Sequence, residues 1–124
     1  NHVYHPGWVK TGVLVSTLQE VNKTIRALFD GALLNERLLA QMLTPSQVIE
    51  PSISYCLGLD RTTVNDFGIA YGHGGAGPGF TCGVKFFDGE DHDKKAISVF
   101  CNSSVSAPIP TLIEELFELI QSRK

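Results

Sequence analysis

The stretch Tyr71-Gly-His-Gly-Gly-Ala-Gly-Pro-Gly-Phe80 decides how the chain is interpreted, since it holds five glycines, one histidine and one proline in ten residues. Glycine adopts backbone conformations closed to other residues, and it lets another group approach the backbone closely. Three interpretations are therefore open: a phosphate-binding loop, a simple turn, or the wall of an active site whose backbone amides take part in the chemistry.

The first interpretation rests on the pattern G-x-G-x-x-G, which Gly72 to Gly77 matches. A dinucleotide site needs a helix directly after this pattern, because the helix N-terminus binds the pyrophosphate. Here Pro78-Gly79 and an alternating apolar run follow, and they predict a turn and a strand. Nucleotide binding is therefore disfavoured. A glycine-rich turn stiffened by Pro78 remains open, although bare glycines in a strand cost stability unless something approaches their backbone.

Composition narrows the class of protein. The 124 residues are 43% hydrophobic and 19% charged, which is typical of one globular domain with one core. A formal net charge of −3 with no dense Lys/Arg run argues against a nucleic-acid partner. No apolar run approaches the roughly 20 residues of a membrane span. Because the first residue is Asn1 and not Met, we interpret the chain as a segment of a longer protein.

Cysteine, histidine and acidic residues give no sign of a metal site. The three cysteines form no C-x-x-C pair, so neither zinc nor a disulfide framework is indicated, and no metal or cofactor is expected. Cys82 and Cys101 are predicted as free thiols that become neighbours across a sheet. The acidic run 88–93, with His92, is interpreted as a solvated hairpin tip.

Helical periodicity appears near both ends of the chain. Ser16-Thr17 before an apolar stripe predicts a capping box and a helix over 18–30, which Gly31 ends. A second helix is predicted from Asn35 to Leu43. A third is predicted over 111–124, following Pro108 and Pro110. Its predicted apolar stripe consists of Leu112, Ile113, Leu116, Phe117 and Ile120.

From residue 52 the pattern changes to short apolar or alternating runs separated by turn residues. The runs 52–59, 65–74, 79–87 and 94–102 predict antiparallel strands. The expected fold is α+β: a helical segment over 1–50, then an antiparallel meander over 51–124 with the last helix packed on the sheet. Residues 66–101 are expected to form three consecutive strands, with His73 near the end of the first.

The run His73-Gly-Gly-Ala-Gly-Pro-Gly-Phe80 resembles the third motif of the serine β-lactamase and penicillin-binding-protein superfamily, closest to its class C β-lactamase, D-alanyl-D-alanine carboxypeptidase and esterase branch. There a Lys-Thr-Gly or His-x-Gly triplet is followed four residues later by Gly-Phe or Gly-Tyr. Four further pieces fit in order: the segment 12–45, Tyr-Cys-Leu-Gly-Leu at 55–59, the strand ending at Asn102, and the C-terminal helix. Together they cover nearly the whole chain.

The resemblance implies acyl transfer to a serine on an ester, amide, D-peptide or β-lactam bond. His73 would take the position of the proton donor or cation that faces the serine, and the amide of Ala76 would be one of two oxyanion-hole donors. Gly75 would keep side chains out of the site, and Gly74 and Tyr71 would line the substrate. We interpret Tyr71 as more typical of a packed strand aromatic than of a substrate contact.

The nucleophile of this superfamily lies in S-x-x-K, and neither that motif nor the second, Tyr- or Ser-containing motif is present. The chain therefore resembles the C-terminal third of a catalytic domain, and alone it is expected to be inactive. Its expected partners are the missing N-terminal part and a small-molecule or peptide substrate, and without that part it is expected to dimerise through an open sheet edge. The alternative is a non-catalytic module that binds peptide along its edge strand. The resemblance implies a periplasmic or extracellular protein.

Overall fold

A computed structural model describes residues 14–64, 68–77, 79–88, 94–103 and 109–123. These residues form an α+β fold with helices on both faces of one antiparallel sheet, and the predicted fold class is confirmed. The elements are α1 (Leu18–Phe29), α2 (Glu36–Leu43), β1 (Gln47–Glu50), β2 (Ile53–Tyr55), β3 (Asp60–Val64), β4 (Gly68–Gly77), β5 (Phe80–Asp88), β6 (Lys95–Cys101) and α3 (Ile109–Gln121).

The helices α1 and α2 begin where the sequence predicts. In α1 the Thr17 hydroxyl accepts from the Glu20 amide while the Glu20 carboxylate accepts from the Thr17 amide, which completes the capping box. Gly31 follows with φ of 78°, a left-handed conformation that glycine adopts without strain. Asn35 caps α2 by accepting from the Leu38 amide at 3.0 Å.

The sheet follows the chain order β1-β2-β3-β4-β5-β6, and every neighbouring pair is antiparallel. The predicted meander is therefore present in β4, β5 and β6. Two strands were not predicted: β1 lies in the segment expected to be helical, and β3 is the polar run Asp-Arg-Thr-Thr-Val. The predicted strand over 52–59 is wrong in its second half. It ends at Tyr55, and a turn follows because the Cys56 amide donates to the Leu59 carbonyl.

Two adjacent phenylalanines on β5 attach one helix to each face of the sheet. Phe86 stacks on Phe29 of α1 with ring centroids 4.0 Å apart, and Phe87 stacks on Phe117 of α3 at 3.9 Å. Both β5 rings are almost fully buried. Because successive side chains of a strand point to opposite faces, one dipeptide anchors both helical layers.

The buried side of α3 differs from the predicted stripe. Ile109, Ile113 and Phe117 are buried against the sheet at i, i+4 and i+8 spacing. Part of the predicted stripe faces outward, since Leu116 and Ile120 are each 41% exposed. The helix is apolar on two sides, and the pattern alone does not say which side contacts the sheet.

The three cysteines are free. The register places Cys82 opposite Phe100 and Cys101 opposite Thr81, so the two thiols are directed to opposite faces of the sheet. Cys56 is buried, its thiol donates to the Leu43 carbonyl, and burial raises its pKa.

The part of the chain that the structure describes includes no helix long and apolar enough to cross a membrane. In the same residues no group of three or more His, Cys, Asp or Glu side chains is arranged to hold a metal ion. Most of the acidic run, residues 89–93, lies outside the described residues.

Candidate active site

The glycine-rich stretch is a strand. β4 runs without interruption from Gly68 to Gly77 and pairs with β5 along the length from Ile69, and the pair Gly77–Phe80 closes the hairpin. Because a strand follows the glycines, the dinucleotide-loop interpretation is wrong, and so is that of a wide turn. His73 lies in the middle of β4 and not near its end, which corrects the prediction.

Among the described residues, the outer edge of β4 has no neighbouring strand from His73 onward. β3 pairs with β4 only as far as Asp60, which stands opposite Gly72. In the described part of the chain no strand pairs with 73–77 on that side. His73, Gly74, Gly75 and Ala76 are all exposed. The candidate residues therefore lie together on one accessible strand edge.

The imidazole of His73 is held at both nitrogens. Its Nε2 lies 3.0 Å from the hydroxyl of Tyr55, and its Nδ1 contacts the carbonyl of Gly74. The Tyr55 ring meets the imidazole edge-on, with centroids 6.3 Å apart. Tyr55 comes from β2, 18 residues away in the chain, and no sequence pattern predicted a role for it in the site. Only the family-like run Tyr-Cys-Leu-Gly-Leu marked its position.

The two glycines after His73 leave room for different reasons. A Cβ at Gly75 would stand 3.1 Å from the sulfur of Cys82, a close contact, whereas a Cβ at Gly74 would meet nothing nearer than the Cys82 carbonyl at 3.9 Å. Packing therefore favours glycine at 75. It imposes no such requirement at 74, where the absence of a side chain leaves open space beside the imidazole.

Tyr71 occupies a different environment from the other candidates. Its ring packs against Phe29 with centroids 5.5 Å apart, and it is half-buried beside the cluster formed by α1 and β5. These contacts give it a packing role. Its predicted contact with substrate stays a prediction.

Two open spaces meet at His73. A mainly apolar cavity of about 380 Å³ lies on the α3 side of the sheet, and a groove of about 590 Å³ lies on the α1 side. His73 and Gly74 line both spaces, and Tyr55 lines the cavity. His73 is therefore accessible from both spaces.

No protein-family model and no curated protein sequence matches this chain. Among solved structures, a penicillin binding protein from Bacillus halodurans superimposes with a TM-score of 0.65 and 27% identity over 81% of this chain. The match supports the superfamily of penicillin-binding proteins and serine β-lactamases. It covers 30% of the Bacillus halodurans chain, so the protein described here has part of that fold.

Proposed function

We propose that this chain is the C-terminal part of a penicillin-recognising serine hydrolase, which cleaves its substrate through an acyl-enzyme. One observation carries the proposal: β4 loses its outer neighbour at His73, so an imidazole and four following backbone units are presented together on an open edge. The similarity to a penicillin binding protein supports it independently.

Each residue of the edge has a proposed role. His73 holds or moves a proton beside the attacking serine or the leaving group, since imidazole is the commonest general acid or base in enzymes. The amide of Ala76 donates to the oxyanion of the tetrahedral intermediate. One such donor is typically worth about 3 kcal/mol of barrier. Gly75 keeps the approach to that amide free.

The proposed substrate is an ester, amide or D-peptide. Superfamily members that act on β-lactams usually carry Thr or Ser in the middle of the triplet, and Gly74 has no hydroxyl there. An extended peptide can add to an open strand edge through main-chain hydrogen bonds, and residues 73–77 offer such an edge.

The nucleophilic serine comes from outside the chain in this proposal, because no S-x-x-K is present. Two uncovered surfaces support a missing structural partner. In the part of the chain that the structure describes, β6 is the last strand of the sheet, and α3 exposes a second apolar side that includes Leu116, Leu119 and Ile120. We propose that the N-terminal part of the domain covers them.

The test is a chimera in which this chain replaces the matched 30% of the Bacillus halodurans protein. Its hydrolysis of a p-nitrophenyl ester and of a D-alanyl peptide is measured before and after His73→Ala. We expect kcat to fall by roughly 10²–10⁴-fold, the usual contribution of a general acid or base. Lys23→Ala, on the exposed side of α1, is the matched control and should leave kcat unchanged.

The second candidate is a non-catalytic module that binds peptide along β4. The open edge favours it, because strand addition needs no nucleophile. A folded chimera that binds a D-alanyl peptide at the amides of 73–77 without cleaving it would support this module and contradict the hydrolase.

A further inference from the structure

We infer that Tyr55 is a positioning residue for His73: its hydroxyl donates to Nε2 and fixes the neutral imidazole as the Nδ1–H tautomer. The consequence for catalysis rests on the proposed hydrolase function, whereas the tautomer itself follows from the contacts of the free protein. No motif identified in the sequence assigns Tyr55 this role.

The Gly74 carbonyl determines which nitrogen of His73 carries the proton. A carbonyl oxygen can only accept a hydrogen bond, so Nδ1, which contacts it, must carry the proton. In a neutral imidazole the other nitrogen then has a lone pair and accepts. The hydroxyl that lies 3.0 Å from Nε2 is therefore the donor. Both ring nitrogens have partners, and both hydrogen bonds are consistent with the Nδ1–H tautomer.

The fold explains why Tyr55 can reach the imidazole. Tyr55 pairs with Asp60 across β2 and β3, and Asp60 pairs with Gly72 across β3 and β4. Tyr55, Asp60 and Gly72 thus lie in one cross-strand row, and His73 belongs to the next row along β4. β3 begins at Asp60, opposite Gly72, so no strand residue opposite His73 separates the phenol from the imidazole. Backbone pairing fixes the Cα of Tyr55, and the contact with Nε2 places its hydroxyl beside the imidazole in the free protein.

For catalysis this means that Nε2 is the proton-accepting nitrogen of the neutral ring, and that the Tyr55 hydroxyl must release the single lone pair of that nitrogen before a proton from a nucleophile can bind there. Tautomer control of this kind determines which nitrogen can take a proton from a nucleophile, and a third residue that orients the base is a recurring feature of nucleophilic catalysis. In the chimera, Tyr55→Phe should lower kcat by roughly ten-fold, the equivalent of one hydrogen bond, with little change in KM.

The direct experiment uses the full 124-residue chain labelled with ¹⁵N at histidine. Long-range ¹H–¹⁵N spectra at about pH 9 report the neutral ring, since histidine titrates near pH 6.5 in model peptides. His73→Gln assigns the signals against those of the other three histidines. If the chain self-associates, magic-angle-spinning spectra of the sediment give the same nitrogen shifts. Tyr71→Phe is the control, because it removes a hydroxyl from β4 itself.

We expect Nδ1 of His73 to appear as the protonated nitrogen and Nε2 as the unprotonated one. Tyr55→Phe should shift the Nε2 signal toward that of a nitrogen without a hydrogen-bond donor, and Tyr71→Phe should not. A protonated Nε2 in the unmodified chain would overturn the inference, and so would an unchanged Nε2 signal in Tyr55→Phe. These spectra need no substrate, so a chimera without hydrolase activity would contradict the proposed function and leave the inference standing.

Discussion

The side chain of Lys85 crosses over Gly72, so that its ammonium reaches the carboxylate of Asp60 on the far strand. The register places these residues in one row, with Asp60 on β3, Gly72 on β4 and Lys85 on β5. The ammonium also donates to the Thr62 hydroxyl at 2.8 Å. The bridge therefore spans three strands and depends on a position without a side chain, directly before the proposed site residue His73.

The first prediction is that Gly72→Ala destabilises the protein. A Cβ there would stand 2.1 Å from the Val84 carbonyl oxygen and 2.6 Å from Cδ of Lys85, so the strands or the bridge must shift. Overpacking of this kind costs about 1–3 kcal/mol, measured as a loss in the free energy of unfolding by denaturant titration.

Gly74→Ala is the matched control for that variant. It lies two residues along the same strand, where a Cβ would meet nothing closer than 3.9 Å. Its free energy of unfolding should stay within about 0.5 kcal/mol of the unmodified chain. Equal losses of unfolding free energy in the two variants would show that the flexibility of glycine, and not the crossing of Lys85, makes glycine necessary at position 72.

The second prediction concerns the pH dependence of α1. The Thr17 backbone amide and hydroxyl donate to the Glu20 carboxylate and hold its pKa below the ordinary value of 4.5. A group whose pKa is lower in the folded state stabilises that state above the unfolded pKa, and this contribution is lost as the pH falls through the folded pKa. Glu20→Gln should therefore lower the denaturant midpoint at pH 7, and the difference should shrink as the pH falls below 4.5 and disappear once the pH has passed through the lowered pKa of the folded state.

Glu118→Gln removes the same charge from α3, outside any capping box, and serves as its control. Its midpoint should differ little from that of the unmodified chain at pH 7. A constant effect of Glu20→Gln from pH 7 to pH 3 would mean that the carboxylate charge does not contribute to the cap.

The third prediction is that the isolated chain self-associates through β6. This strand has β5 on one side and no other strand within the described residues, and its side chain Phe100 is 53% exposed. An open apolar edge pairs with another chain unless a charge prevents it. Sedimentation velocity should show dimers or larger species, and Phe100→Lys should shift them to monomer.

Leu119→Lys is the matched control, since Leu119 is 56% exposed but lies on α3, away from that edge. Association that responds to Leu119→Lys and not to Phe100→Lys would place the interface on the helix. A stable monomer at high concentration would mean that the edge is protected.

The sequence predicted those elements whose capping residues or apolar patterns match the positions that are capped or buried in the structure. The capping box, the glycine stop and the three long strands are of this kind. β1 and β3 escaped prediction because their side chains are exposed or polar, so neither shows an alternating apolar pattern. In the candidate site, His73 was predicted from its motif, and its role stays a prediction. Tyr55 was not given a role, because only the register of β2, β3 and β4 brings it to the imidazole.

The most direct test of the central claim is the location of a covalent fluorophosphonate adduct. The isolated chain and the chimera with the Bacillus halodurans protein are incubated with a fluorescent fluorophosphonate, which labels an activated serine, and intact mass and peptide mapping find the modified residue. We expect no adduct on the isolated chain, and one adduct per chimera on the serine of an S-x-x-K supplied by the other part. A stoichiometric adduct on a serine of this chain, or a folded chimera that forms none, would contradict the account.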